Sequence, residues 1–413
     1  MRRRACRYAA YRRARATLIR SSLFSIKRST PNSASLLPFG AFFASYFAFN
    51  AAFTIYLPLW LAHRGFSAFQ IGVLMSMQQV MRIVGPNVWG WVADHTSSRA
   101  RVLRVTALAS LLCFCAIFFG ERFGVVLAVT VAINFFLAGQ VPIAEALTVQ
   151  RLGSNIGRYG RLRLWGSIGF IVSATLSGYC LDRLGIAWMP WIALLALGST
   201  ALVAHAVYDV AHAVTPKLQS ASTRAQLAKP EVIAFFASCF LMIFSHASIY
   251  TYYSLFLERL GYSRTAIGLL LSFGVLIEVA VFWFQGRLLA RVRVERLLLM
   301  TFVAASVRFM LIGTLADMLG WLLVAQALHA LTFAAHHSAS IVLIQRWFSG
   351  KLAARGQALY TSIAYGLGGS IGGLVAAWIW ERIAASAVFL AAAVAAALGA
   401  GAVLVMMRFN RKC

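Results

Sequence analysis

The chain has 413 residues, of which 61% are hydrophobic and 12% charged, and its formal net charge is +27. No water-soluble domain of this size needs so much apolar surface, so the composition excludes a soluble enzyme or binding module and describes a polytopic membrane protein. The positive charge does not mark a nucleic-acid binder, because the basic residues fall between apolar segments and crowd into alternate gaps.

The first 38 residues carry ten arginines and lysines, no acid and no apolar run long enough for a signal-peptide core. We expect a disordered basic tail. An anchor for anionic lipid and an organelle transit peptide are the competing readings. Twelve apolar segments follow, at 39–61, 69–91, 102–119, 125–147, 164–181, 187–207, 232–257, 266–285, 297–315, 319–343, 358–380 and 385–407. With the amino terminus inside, inner gaps and tails hold 30 lysines and arginines and outer gaps six. The excess of basic residues on cytoplasmic loops then places both termini in the cytoplasm of a cell inner membrane. The six cysteines form no CxxC pair or metal-ligand spacing and read as small core residues.

The polar stretch 208–231 separates six segments from six, giving an expected division into a tail (1–38), an amino-terminal bundle (39–207), a linker (208–231), a carboxyl-terminal bundle (232–408) and a short tail (409–413). The halves repeat. Gly65-Phe-Ser-Ala-Phe-Gln-Ile-Gly-Val-Leu-Met-Ser76 aligns with Gly261-Tyr-Ser-Arg-Thr-Ala-Ile-Gly-Leu-Leu-Leu-Ser272 at a shift of 196, which also carries Arg82 onto Glu278. A parallel repeat of six helices with polar groups near mid-membrane is the plan of a carrier that alternates access about a central site.

The segment from Gly268 to Gly286 is long enough to span a bilayer and holds one carboxylate, Glu278, near its middle. An ionisable group at that depth costs at least ~2.5 kcal/mol and normally faces a protein interior or an aqueous path. Residues equidistant from a hairpin turn lie at similar depth. Reflecting Glu278 through its two turns lands on His246 and Arg308, and reflecting Arg308 through the next reaches His329 within a residue. In the first half, Glu145 and Arg163 flank one inner loop symmetrically. Asn134, Ala138, Val141 and Glu145 follow helical spacing and form one polar stripe that could face a cavity. His246, Tyr250 and Tyr253 share a face, as do His329, Thr332 and His336. The loop from Gly90 through Asp94 and Arg99 to Arg101 has the charges to clasp helix ends in one conformation and release them in another.

These residues resemble the major facilitator superfamily over 39–408. The Gly90–Arg101 stretch is similar to its GxxxD-(R/K)-x-G-(R/K) loop but lacks the second glycine. Glu145, Gly160-Arg-Leu-Arg-Leu-Trp-Gly166, Ser306-Val-Arg308 and Leu328-His329 resemble lactose permease, where the matching Glu and Arg bind sugar. The acid that permease uses as proton carrier is replaced here by Thr332. A closer resemblance is to the 3-phenylpropionate transporter type, carried by Arg82, Asn134, Pro142, Glu145, Arg163-Leu-Trp-Gly-Ser167, His246, Tyr250, Glu278, Arg308, Leu328–Phe333 and His337.

The resemblance implies an all-α fold of twelve transmembrane helices in two six-helix bundles. It implies a proton-coupled symporter that needs no cofactor beyond the proton gradient, with protons, a small molecule and the lipid bilayer as partners and, by superfamily analogy, a monomeric state. The expected cargo is a small organic anion such as an aryl carboxylate, since Arg82, Arg163 and Arg308 outnumber Glu145 and Glu278. A carboxylate would pair with arginine and a ring would stack on Tyr250, Trp165 or Phe170. Glu278, Arg308, His246 and His329 are assigned to proton coupling, and Glu145, Arg163, Arg82, Asn134, Tyr250, Phe170 and His337 to substrate. Gly90, Asp94, Arg99 and Arg101 are assigned to gating. The alternatives are a sugar or nucleoside symporter and an exporter. An enzyme or metal site would need a nucleophile or ligand cluster near a membrane face, and no such spacing is present.

Overall fold

The computed structural model describes residues 35–209 and 223–410, so most of the expected basic tail, the middle of the linker and the last three residues lie outside the described residues. Among the described residues, twelve long helices run in chain order. In the first half they are α1 Leu37–His63, α2 Ala68–His95, α3 Arg99–Cys115 with a 3-10 turn to Phe119, α4 Phe123–Leu152, α5 Tyr159–Leu184 and α6 Met189–Ala206. In the second they are α7 Pro230–Arg259, α8 Arg264–Arg291, α9 Val294–Leu315, α10 Leu319–Trp347, α11 Ala353–Arg382 and α12 Ala385–Asn410.

Eleven of these are long and apolar enough to cross a membrane. The exception is α2, whose middle carries Gln78, Gln79 and Arg82. These three side chains line an internal cavity, which is why the helix tolerates them. Among the described residues the fold is the all-α, two-bundle membrane architecture expected from the sequence. In the first half α4 packs on α2 and α3, and α3 on α6; in the second α12 packs on α7 and α9, and α10 on α8 and α9. Between halves, α8 runs along α5 and α11 along α2.

Small residues permit those crossings. A methyl group on Gly268 would sit 2.3 Å from the Ala174 carbonyl oxygen, and one on Gly366 would sit 2.2 Å from Ile83. Two helices also widen locally into π-helical turns, Leu331–Ala335 in α10 and Thr361–Gly368 in α11. Such turns shift the facing of every later side chain relative to a regular helix and often accompany functional sites. In α10 the expected single face of His329, Thr332 and His336 is broken by this turn.

Candidate functional site

Between the halves lies a cavity of about 270 Å³. Its first-half wall includes Phe47, Asn50, Gln78, Gln79, Arg82, Arg163 and Phe170, and its second-half wall Tyr250, Glu278, Arg308, Gln326, His329, Phe333 and Tyr365. Both halves therefore contribute charge, amides and aromatic faces. The volume and mixed lining suit a small molecule with an apolar body and a few polar handles.

The second-half charges form a connected group. His329 Nε2 lies 3.2 Å from a Glu278 carboxylate oxygen. Arg308 is fully buried; its Nη1 donates to the Thr332 hydroxyl at 3.2 Å and lies 3.3 Å from His246 Nε2. The imidazoles of His246 and His329 are 6.3 Å apart. His246 itself sits behind Arg308 and does not line the cavity, and its Nδ1 is fixed 2.8 Å from the Met242 carbonyl. Since Nδ1 donates there, Nε2 is left as an acceptor, so the ring can receive an Arg308 N–H. Arg308 Nε and Nη2 have no hydrogen-bond partner among the described residues. A buried guanidinium with unused donors is costly unless something polar meets it. Thr332 thus occupies the place of the missing acid as a hydroxyl acceptor.

In the first half, Arg163 Nε lies 3.6 Å from Glu145 Oε1, and its guanidinium stacks 4.2 Å from the Phe47 ring centroid. Glu145 holds Arg163 from outside the cavity rather than lining it. Arg82 makes no ion pair among the described residues; its guanidinium lies over the Tyr365 ring at 5.9 Å. Tyr250 and Phe170 face the cavity as expected from their positions.

Besides Glu145, three expected cavity contacts are absent. Asn134 is buried and donates its amide to the Thr130 carbonyl at 2.9 Å, so the stripe from Asn134 to Glu145 turns into the packing of its own half. His337 lies beyond the π-helical turn and sits 3.4 Å from the Tyr360 hydroxyl, outside the cavity lining. Trp165 is half exposed and lies over Gly40 rather than facing the cavity. Sequence reasoning missed the amides Asn50, Gln78, Gln79 and Gln326. The signal was available, since amides inside a membrane span carry the same cost that drew notice to the charges.

In the loop after α2, Arg99 donates to Asp94 at 2.9 Å. Ser98 caps α3 by accepting from the Arg101 N–H at 3.0 Å. Asp209, at the start of the linker, accepts from the Ser98 hydroxyl and from the Ala100 N–H. Gly90 has open space around it, so no close approach requires a glycine there.

Comparison with known proteins gives a consistent class. Residues 37–391 match the MFS_1-like family. The chain is 30% identical over 336 residues to a probable 3-phenylpropionic acid transporter of Escherichia coli (strain K12), covering 79% of this chain and 86% of that protein. It is 23% identical to a maltose permease of Geobacillus stearothermophilus, covering 90% and 94%. The crystal structure of the nucleoside transporter NupG superimposes with a TM-score of 0.79 at 17% identity, over 90% of this chain and 98% of that one. Fold, site and relatives agree on a transport protein and not an enzyme, and this chain belongs to the MFS_1-like family of the major facilitator superfamily.

Proposed function

We propose that this secondary active transporter carries a small organic anion together with a proton, with Glu278 as the proton carrier and Arg82 as the anchor for the cargo's negative charge. The carrying observation is the pattern of pairing in the cavity. Glu278 has His329 beside it, Arg163 has Glu145, Arg308 has Thr332 and His246, and Arg82, among the described residues, has only an aromatic face. A cargo carboxylate completes that inventory, taking bidentate hydrogen bonds from Arg82 while its apolar body lies among Phe47, Phe170, Tyr250 and Phe333.

Glu278 is the one carboxylate on the lining, so proton binding there changes the cavity's charge by one unit. Arg308 lines the same cavity, so cargo, proton and arginine share one electrostatic balance. The excess of basic residues on the loops at the face bearing Arg99 and Arg151 supports a cytoplasmic placement of that face and of both termini. In that frame the cavity belongs to an inward-facing form, since the halves are hydrogen-bonded to each other on the opposite face.

A second reading is a sugar or nucleoside symporter. The ring of amides Asn50, Gln78, Gln79 and Gln326 favours it, because paired donors and acceptors suit hydroxyls and nucleobases. The maltose permease relative supports this reading, as the 3-phenylpropionic acid transporter relative supports the first. One experiment separates them. Purified protein in proteoliposomes is offered aryl carboxylates, sugars and nucleosides while external pH is recorded, for wild type and Glu278→Gln. External alkalinisation with carboxylates alone, lost in the variant but with exchange of bound cargo retained, supports the proposal. Alkalinisation with sugars or nucleosides replaces the cargo assignment, and accumulation that persists in Glu278→Gln removes that residue as carrier.

A further inference from the structure

On the face where α1 passes into α2, three spans of the first half end together: α1 at His63, α3 with its 3-10 turn at Phe119, and α6 with the turn before it at Ile186. Between these ends lies a second cavity, of about 210 Å³. Its lining includes Trp60, His63, Arg64, Phe118, Ala187 and Trp191, none of which lines the cavity between the halves. Three helices long and apolar enough to cross a bilayer stop here, so the second cavity sits at the depth of the headgroups, where tryptophan is at home.

Local sequence builds the cationic wall. Helix α1 closes in a Schellman turn: Phe66 donates its N–H to the Leu61 carbonyl at 3.1 Å, and Gly65, at a φ of 83°, donates to Ala62 at 3.0 Å. Arg64 is therefore fixed one helical turn after Trp60, and its guanidinium lies 5.5 Å from the centre of that indole. Trp60 is packed into the core, so the arginine rests on a firm surface. Glu121 approaches Arg64 only to 3.9 Å, and its side chain is mostly in solvent. The facing wall is aromatic. Phe118, in the turn that ends α3, and Trp191, in the first turn of α6, touch with ring centroids 4.4 Å apart.

Two apolar tracks lead away from that wall. Val105, Leu108, Leu112 and Phe119 are exposed on α3, and Trp191, Leu195 and Leu202 on α6. Their spacings of three, four and seven residues keep each set on one side of its helix, and the two helices pack on each other. We propose that this pocket seats the phosphate of a phospholipid in the leaflet opposite the Asp94–Arg101 loop, with Arg64 as its cationic partner and the acyl chains lying along α3 and α6. A guanidinium meets phosphate oxygens through paired hydrogen bonds, the aromatic wall suits the glycerol region, and the tracks take the chains. A free anion would use Arg64 alone and leave the aromatic wall and both tracks without a role. The site is independent of cargo and proton.

Native mass spectrometry of the full-length, delipidated protein tests it, with phosphatidylglycerol titrated against diacylglycerol of the same chains. Wild type is expected to retain one phosphatidylglycerol and no diacylglycerol. Arg64→Gln removes a charged hydrogen-bond donor and should raise the Kd at least about 10-fold. Ala187→Phe fills the cavity from an exposed position, is expected to do the same, and decides the matter if Arg64→Gln lowers the melting temperature. Arg183→Gln, a charge on the same face outside the cavity, should leave retention unchanged. Equal retention of diacylglycerol, an equal loss in Arg183→Gln, or full retention in a stably folded Arg64→Gln would each overturn the proposal. So would displacement of the lipid by an equal concentration of inorganic phosphate or of 3-phenylpropionate, which would assign the pocket to a free anion or to an aromatic acid.

Discussion

Replacing Arg82 with glutamine tests the cargo's charge most directly. The guanidinium is half-buried on the cavity wall, with no ion pair among the described residues and the ring of Tyr365 at 5.9 Å. That contact contributes about 0.5–1 kcal/mol at a partly exposed site, so its loss should leave the fold intact. A cargo carboxylate bound by Arg82 would lose charge-assisted hydrogen bonds worth about 1.5–3 kcal/mol, which is about a 10- to 100-fold rise in Kd. Arg82→Lys keeps the charge but not the planar fork, and should fall between the two. Binding of an aryl carboxylate to the purified protein, measured by calorimetry alongside a sugar and a nucleoside, reads this out. If affinity for every ligand bound by wild type survives in Arg82→Gln within about 2-fold, the anion reasoning fails and the amide-lined reading takes its place.

The packing makes three further predictions. Gly169→Val should lower the melting temperature in detergent, because even a methyl there would lie 2.0 Å from the Ala44 carbonyl oxygen, and overpacking of this kind costs about 1–3 kcal/mol or more. Thr332→Val should weaken accumulation, since it removes an acceptor from fully buried Arg308 at a cost of about 1–3 kcal/mol; uptake equal to wild type would show that this bond is dispensable. Asp209→Ala should fray the start of α3, which loses an acceptor at Ser98 and Ala100, by about 0.5–2 kcal/mol. Faster amide exchange over residues 98–104 is the measurement.

Hairpin symmetry made much of the second half legible in advance. Equal chain distances from a turn mean equal depth, and His246, Glu278, Arg308 and His329 do come together. Depth alone does not fix which way a side chain turns. That is why Asn134 and His337, spaced as cavity residues should be, point elsewhere: helix α4 is rotated into its own bundle, and the π-helical turn at Leu331–Ala335 alters the facing of His337. Contacts between the halves were partly written in the repeat. The shift of 196 that matched Gly65–Ser76 with Gly261–Ser272 also pairs Tyr56 with Tyr252. Asp182 and Glu381 are not equivalent under that shift, so only the fold brings their carboxylates to the equivalent amides of Thr265 and Phe69.

Burying Arg308 also constrains how the chain is made. A lone arginine at the centre of an inserting helix costs about 2.5–3.5 kcal/mol, and α9 must bear that cost unless a companion is already in place. The ribosome delivers His246 and Glu278 first, on α7 and α8, then Arg308, and only afterwards His329 and Thr332 on α10. The base therefore enters a membrane that already holds a nearby acid and the imidazole it meets, and the Thr332 hydroxyl that accepts from it arrives one hairpin later. Chains stalled after α9 would hold Arg308 without the Thr332 hydroxyl, which makes the α9–α10 hairpin the natural unit of insertion.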